Sequence, residues 1–152
     1  GEHANGARDS VLQNVRHWFR EFHLDGFRLD ATQSIFDAGE PHILAELVTQ
    51  AREAAGARQI VVTAGNEPQC SEHLLPPEAG GFGIDGMWND DFHHAASVGL
   101  RGSRDGYLRD YTGRAQEFVA AAKYGFLFQG QRYSWQNKAR GSPLRSIGSI
   151  WS

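Results

Sequence analysis

The chain has 152 residues, of which 40% are hydrophobic and 22% are charged, and its formal net charge is -3. This length and this balance are typical of one soluble globular domain with a core of its own. The slight negative charge gives no basic footprint for nucleic acid, and no apolar run reaches the ~20 residues of a membrane-spanning helix.

The number of cysteines indicates whether the protein is found in a reducing or an oxidising compartment. Cys70 is the only cysteine, so the chain cannot form an intrachain disulfide. The first residues do not have the pattern of a signal peptide. We therefore expect a reducing, cytoplasmic location and an inert Cys70, whereas the composition leaves the oligomeric state open.

The first predicted elements are a helix and a strand. Asp9 is a plausible N-cap, and apolar residues then recur at helical spacing from Val11 to Phe22. Gly26 begins a short strand, Phe27–Leu29, which ends at Asp30. An amphipathic helix should therefore pack on the sheet that contains this strand.

A second helix and strand follow. Pro41 suits the first position of a helix that runs to Gly56. The β-branched run Gln59–Thr63 is typical of a strand buried on both faces. Alternating helices and strands with short links predict a parallel sheet with crossover helices.

The second half of the chain gives weaker signals. Residues 64–83 are irregular and rich in Pro, Gly and Glu, and residues 129–145 have the composition of a loop. The remaining predicted elements are a weak strand at Ile84–Trp88 and helices at Ala95–Leu100 and Ala115–Ala122. No internal repeat or domain boundary is evident, so we expect residues 1–152 to form a single unit.

Asp30 is the first candidate for chemistry. A carboxylate at the carboxyl end of a parallel strand lies where α/β proteins place their active sites. Arg28 is two residues earlier, on the same face of the strand, and would keep Asp30 ionised and oriented. The pattern suits a covalent glycosidase nucleophile, but spacing alone favours a structural Arg–Asp pair or a capping aspartate.

A second polar group follows the weak strand, at Trp88–His94. Two acids and two histidines could bind a metal, although adjacent histidines point apart, which disfavours a shared metal site. The alternative is that Asn89, Asp90 and Asp91 cap a helix.

An ordered series of motifs resembles one enzyme family. Asp25–Ser34, with Gly26-Phe-Arg-Leu-Asp30 inside it, is similar to the nucleophile strand of the α-amylase superfamily of glycoside hydrolases. Further segments narrow the resemblance to the malto-oligosyltrehalose trehalohydrolase family; they are Pro41–Glu46, Asn66–Gln69, Trp88–His94, Arg104–Tyr107 and Tyr133–Trp135.

The resemblance implies a retaining hydrolysis of the α-1,4 bond next to a terminal trehalose, with no metal or organic cofactor. Asp30 would be the nucleophile. The family's general acid falls at Gly65, in a segment where Ala-Glu-Asn-Glu-Pro-Gln is expected and Ala64-Gly-Asn-Glu-Pro-Gln69 is found. Glycine cannot donate a proton, and Glu67 is a poor substitute because it matches a family position of its own.

The resemblance also implies contacts to a malto-oligosaccharide or trehalose-type substrate. Trp88, Asp90 and Asp91 would lie on the leaving-group side. His93 and His94 are further candidates, although either could be a structural histidine. Helix capping by Asp90 and Asp91 is compatible with this role.

The implied fold is part of a (β/α)₈ barrel, comprising its middle-to-late strands, since a full barrel takes about 250 residues. The family's earlier Asn-His motif and later His-Asp motif are absent, and the tail from Leu144 is unlike the family. We expect a chain with little or no activity. The alternatives are a segment of an α-glucan branching or related enzyme, or a non-catalytic saccharide-binding or structural unit.

Overall fold

The computed structural model describes residues 4–142 and 149–151. Four helices are present in this part of the chain: α1 (Ala4–Glu21), α2 (Ile43–Ala55), α3 (Asp90–Arg101) and α4 (Ala115–Tyr124). The strands are β1 (Gly26–Leu29), β2 (Val61–Ala64), β3 (Gly86–Trp88), β4 (Arg132–Tyr133), β5 (Lys138–Ala139) and β6 (Ser149–Trp151).

The main sheet has the order β1-β2-β3-β6, and every adjacent pair is parallel. Helix α2 connects β1 to β2, and α3 and α4 lie between β3 and β6. The predicted parallel sheet with crossover helices is confirmed. Within the described residues the sheet is open and does not close into a barrel.

One face of this sheet carries the core. Phe19 of α1 and Val48 of α2 are buried with Val62 and Met87 of the strands. On the other face Val61 and Trp88 are 48% and 44% exposed. The prediction that β2 is buried on both faces is therefore wrong, because no second layer of described residues covers this face.

Three helix starts differ from the sequence-based prediction. Helix α1 begins at Ala4 rather than after Asp9, and its first turns are held by Arg8, which pairs with Asp37 and Glu46. Tertiary ion pairs of this kind leave no periodic signal in the sequence. Helix α2 begins at Ile43, after Pro41, because the His42 side chain accepts the Leu44 N–H as the N-cap.

Helix α3 begins at Asp90, ahead of the predicted Ala95. Its N-cap is Asn89, whose side chain accepts the Phe92 N–H at 3.1 Å. The predicted capping of this helix by the Asn89–Asp91 segment is therefore confirmed at Asn89.

The loops contain short regular pieces that the sequence did not reveal. Strands β4 and β5 form an antiparallel hairpin inside the predicted loop 129–145. Single turns of 3₁₀ helix at Ser71–Leu74 and Pro77–Ala79 lie within the irregular segment 64–83. The expectation for the tail lies outside the described residues, apart from the backbone of β6, which pairs with β3.

No helix in the described part of the chain is both long enough and apolar enough to cross a membrane.

Candidate functional site

The carboxyl ends of β1 and β2 bring position 65 next to Asp30. Leu29 and Ala64 are partners in the parallel register, so the residues that follow them emerge side by side. The Gly65 N–H donates to the Leu29 carbonyl at 2.7 Å, and the Thr32 N–H donates to the Gly65 carbonyl at 3.0 Å. The backbone at Gly65 is thus fixed on both sides.

Asp30 and Arg28 form an ion pair on the open face of the sheet. Arg28 Nη1 lies 2.8 Å from Asp30 Oδ1, and the two side chains are 45% and 77% exposed. The Arg28 guanidinium also lies over the Trp88 ring, 5.8 Å from its centroid. The pair is therefore solvent-accessible and differs from the buried structural pair that spacing alone favours.

Gly65 leaves room for a side chain that would touch this pair. A Cβ atom added to Gly65 would lie 3.3 Å from Asp30 Oδ1 and would overlap the end of the Arg28 side chain. The φ angle of Gly65 is not positive, so its backbone conformation is open to other residues. Only the movable end of Arg28 stands in the way.

A buried polar network supports these strand ends. Asn66 Nδ2 donates to Thr32 Oγ1 at 2.9 Å, and Asn66 Oδ1 accepts the Cys70 N–H at 2.9 Å. Between Asp30 and Thr32, Ala31 has a φ of 46°, a conformation that costs energy for a residue other than glycine. The sequence contains both polar residues in its motifs, but it does not show that they bond to each other.

Cys70, at the end of this network, is half-buried and free. Burial raises the pKa of its thiol, which opposes thiolate formation. The structure thus supports the inert role expected for this residue.

Glu67 is engaged by the hairpin. Its carboxylate accepts a hydrogen bond from Gln136 Nε2 at 3.0 Å and forms an ion pair with Arg140. The Arg140 side chain is 1% exposed and stacks over Tyr133, with its Cζ 4.7 Å from the ring centroid. The burial of Arg140 could not be predicted from the sequence, because this residue lies in a segment with the composition of a loop.

Asp91 lies on the other side of Arg140 and is fully buried. Its Oδ1 accepts the Tyr111 hydroxyl at 2.7 Å and lies 3.4 Å from Arg140 Nε, and its Oδ2 accepts the Phe128 N–H at 2.8 Å. With 0% of the side chain exposed, Asp91 is not available to a ligand in this conformation. The contacts show a structural role, contrary to the substrate contact expected from the sequence.

The neighbouring residues of α3 are more accessible. Asp90 is half-buried, and this burial raises the pKa of its carboxyl. His93 is exposed, whereas His94 packs between Tyr107 and Tyr111 at centroid distances of 5.0 and 5.1 Å. Burial, with the positive charge of Arg140 adding to it, lowers the pKa of His94 to about 4.

Asp90 borders two clefts. The first, which we call the Trp88 cleft, has a volume of ≈ 560 Å³; its lining includes Arg28, Trp88, Asn89, Asp90, Phe92 and His93. The second, which we call the Trp135 cleft, has a volume of ≈ 400 Å³; its lining includes Glu67, Asp90, His94, Tyr107, Trp135 and Gln136. The two predicted histidine candidates therefore face different clefts.

A larger apolar groove of ≈ 680 Å³ lies between α1 and β1. It has few polar groups and does not include Asp30 or Asp90. Among residues 4–142, no group of three or more His, Cys, Asp or Glu side chains could hold a metal ion.

Comparison with known proteins identifies relatives of this chain. It is 34% identical over 143 residues to malto-oligosyltrehalose trehalohydrolase of Saccharolobus solfataricus, which corresponds to 94% of this chain and 24% of that protein. It is 34% identical over 142 residues to the Deinococcus radiodurans protein of the same name, covering 92% of this chain and 22% of that one. The chain therefore spans about a quarter of the length of these relatives.

Solved structures give a consistent result. A Salmonella typhimurium protein described as an alpha amylase superposes with a TM-score of 0.79 and 30% identity, covering 91% of this chain and 24% of the other. No family model matches the chain.

Proposed function

We propose, from the homology of this chain to malto-oligosyltrehalose trehalohydrolases over 94% of its length, that it is the nucleophile-bearing segment of a retaining α-glycosidase. In this proposal residues 1–152 form one unit, equivalent to middle-to-late strands of a (β/α)₈ barrel. Its substrate class is the malto-oligosaccharide that carries a terminal trehalose.

Asp30 is the proposed nucleophile. Its carboxylate is exposed at the carboxyl end of β1 and is held by Arg28 at 2.8 Å, which keeps it oriented. In the first step a bond forms between a carboxylate oxygen and the anomeric carbon, and the bond from that carbon to the leaving sugar oxygen breaks. The leaving oxygen then needs a proton.

Gly65 is the position from which that proton should come. A side chain there would begin 3.3 Å from Asp30 Oδ1, so a glutamate could place its carboxyl group at the ~5–5.5 Å separation of a retaining pair. Loss of a general acid costs about 10²–10⁴-fold in rate. This position is the observation that carries the proposal, because a Cβ atom at Gly65 would lie 3.3 Å from Asp30 Oδ1 and glycine supplies no acid there.

Glu67 does not replace the missing acid. Its carboxylate is bound by Arg140 and Gln136, and these contacts hold it against the β4–β5 hairpin rather than beside Asp30. We therefore propose that this chain is inactive or nearly so as a hydrolase.

The Trp88 cleft is the proposed substrate-binding surface next to Asp30. Trp88 offers a half-exposed ring, and Asp90 and His93 offer hydrogen-bonding groups beside it. Flat aromatic surfaces and carboxylates together suit sugar rings and their hydroxyls. Asp91 supports this cleft from beneath through α3 rather than contacting substrate.

A second candidate function is saccharide binding without catalysis. The observation that favours it is the loss of a side chain at Gly65 next to an intact cleft. A related glucan-active enzyme, such as a branching enzyme, is the catalytic alternative, and its products would lack free trehalose.

The test uses three variants of the purified chain with maltotriosyltrehalose. We expect the unaltered chain to release no more trehalose than Asp30→Asn. Gly65→Glu should release more than Gly65→Gln, which matches it in size but cannot donate a proton. Trehalose release by the unaltered chain well above that of Asp30→Asn would overturn the proposed loss of activity. Equal rates for Gly65→Glu and Gly65→Gln would overturn the assignment of position 65 as the limiting acid.

A further inference from the structure

The Arg28 guanidinium lies where a side chain at position 65 would begin. A Cβ atom at Gly65 would overlap the end of Arg28, and Arg28 Nη1 is 2.8 Å from Asp30 Oδ1. Arginine always carries a positive charge in proteins and has hydrogen-bond donors but no acceptor. The space next to Asp30 therefore contains a permanent positive charge instead of a carboxylic acid.

The lack of an acid at Gly65 affects only those reactants that exchange a proton. A leaving sugar oxygen must gain a proton, and water must lose one as it attacks the glycosyl-enzyme, so both steps of hydrolysis need a group at this position. A leaving group that is stable as an anion needs no acid, and a nucleophile that is already an anion needs no base. The Asp30 carboxylate, which is 77% exposed, is therefore sufficient for such reactants.

The charge around Arg28 changes when Asp30 reacts. Asp30 is the only ion-pair partner of Arg28 among the described residues. Once the Asp30 carboxylate is bonded to a sugar it is a neutral ester, and the Arg28 charge is left without a partner. The Arg28 side chain is 45% exposed and lines the Trp88 cleft of ≈ 560 Å³. Asp90 also lines this cleft but forms no ion pair with Arg28, so the glycosyl-enzyme should attract an anion to Arg28.

We propose that this chain transfers a malto-oligosyl group from a donor with an anionic leaving group to a small inorganic anion, which Arg28 binds. The choice of a malto-oligosyl donor and of Asp30 as nucleophile rests on the proposed function. The choice of anions rests on the position of the Arg28 guanidinium beside Gly65.

The reaction of maltosyl fluoride with azide shows the two steps. An Asp30 oxygen bonds to the anomeric carbon while the carbon–fluorine bond breaks, and the electron pair of that bond leaves with fluoride. Azide then bonds to the same carbon, and the bond to Asp30 breaks and restores the carboxylate. No proton is transferred. Each step inverts the carbon, so α-maltosyl fluoride gives α-maltosyl azide.

Fluoride release from α-maltosyl fluoride, measured with a fluoride electrode at constant ionic strength, tests the proposal on the full chain. We expect the unaltered chain to release fluoride faster than Asp30→Asn. The rate should rise with azide concentration to a plateau, because azide replaces the slow attack of water. The anomeric proton coupling of the product should be that of the α-azide. Fluoride release no faster than with Asp30→Asn, no acceleration by azide, or a β-azide product would each overturn the proposal.

Variants of Arg28 separate anion binding from orientation of Asp30. Arg28→Met and Arg28→Gln should each raise the azide concentration that gives half of the plateau rate by about tenfold or more, because a charged hydrogen-bonding partner is lost. A residue that only orients Asp30 would lower the plateau rate and leave that concentration unchanged, and this result would overturn anion binding by Arg28. Arg101→Met, at an exposed arginine that ends α3, is the matched control and should change neither value. Circular dichroism shows whether each variant is folded.

The outcomes also distinguish this proposal from the proposed function. If fluoride release does not depend on Asp30 while Gly65→Glu releases more trehalose than Gly65→Gln, the anion transfer is overturned and the proposed function stands. If azide yields the α-azide while Gly65→Glu and Gly65→Gln release trehalose at equal rates, the transfer is supported and position 65 is not the limiting acid.

Discussion

The end of the Arg28 side chain occupies the space into which a side chain at position 65 would project. In this position the Arg28 guanidinium lies beside the Asp30 carboxylate, the Trp88 ring and Gly65. The space next to Gly65 is filled by a movable side chain rather than by backbone, so the protein should accept a new side chain there by moving the guanidinium.

We expect Gly65→Ala to change the free energy of unfolding by no more than about 0.5 kcal/mol. The reason is that only the exposed Arg28 side chain must move, and exposed ion pairs contribute little. Gly26→Ala is the matched control, because its Cβ would overlap the Val61 carbonyl inside the sheet. The free energy of unfolding of Gly26→Ala should be lower by about 1–3 kcal/mol. Urea unfolding of both variants gives the measurement, and a Gly65→Ala loss as large as that of Gly26→Ala would contradict the prediction.

Arg140 should contribute far more to stability than Arg28. It is 1% exposed and lies between the Glu67 and Asp91 carboxylates, so Arg140→Met leaves the fully buried Asp91 charge without its cation. The expected loss is about 3–5 kcal/mol. Arg28→Met, whose exposed pair with Asp30 is on the open face, should lose less than about 1 kcal/mol. Comparison of urea midpoints tests this order, and the reverse order would show that the Arg140 network is not structural.

The sequence predicted the fold class because hydrophobic periodicity and β-branched runs act over short distances. The run at Gln59–Thr63 correctly marked the second parallel strand, although the strand spans Val61–Ala64. Whether a second layer covers the sheet depends on distant parts of the chain, which is why the exposure of Val61 was not predicted.

Contacts within one strand could be predicted from the sequence, whereas contacts between distant parts of the chain could not. Arg28 and Asp30 are two residues apart on β1, so their pairing followed from strand geometry. Arg140 and Glu67 are 73 residues apart, and no local pattern joins them. The burial of Asp91 against Tyr111, Phe128 and Arg140 likewise depends on residues far along the chain, so the sequence did not predict it.

His94 should make stability fall as the pH falls below neutral. Burial lowers its pKa from 6.5 to about 4, so between these values the unfolded chain binds a proton that the folded chain does not. The contribution of His94 to the free energy of unfolding is at its full value above pH 6.5. It declines as the pH falls towards 4 and does not change further below that value. For this one group, the free energy of unfolding changes by at most about 1.4 kcal/mol per pH unit.

His94→Gln removes this titration and provides the measurement. The difference in unfolding free energy between the variant and the unaltered chain should change between pH 6.5 and about 4 and stay constant outside that window. Taking the difference cancels the contributions of the other titratable groups to stability. These include Asp90, whose raised pKa makes stability increase as the pH falls. A difference that does not vary with pH would show that His94 is protonated in the folded protein as readily as in the unfolded one.

The apolar groove between α1 and β1 should cause the purified chain to self-associate. Trp18 lines the groove and is 42% exposed, and Phe22, which is 57% exposed, lies beside it with the two ring centroids 4.6 Å apart. Strand β1 is at the edge of the sheet within the described residues, and an exposed edge next to apolar surface favours pairing with another chain.

Sedimentation velocity should show a weight-average mass that rises with concentration. Trp18→Glu and Phe22→Glu should reduce that rise, because a charge in the contact must be desolvated. Leu100→Glu, at a site on α3 that is 88% exposed and does not line the groove, should leave it unchanged. Equal effects of all three variants would show that added negative charge, rather than the groove, controls association.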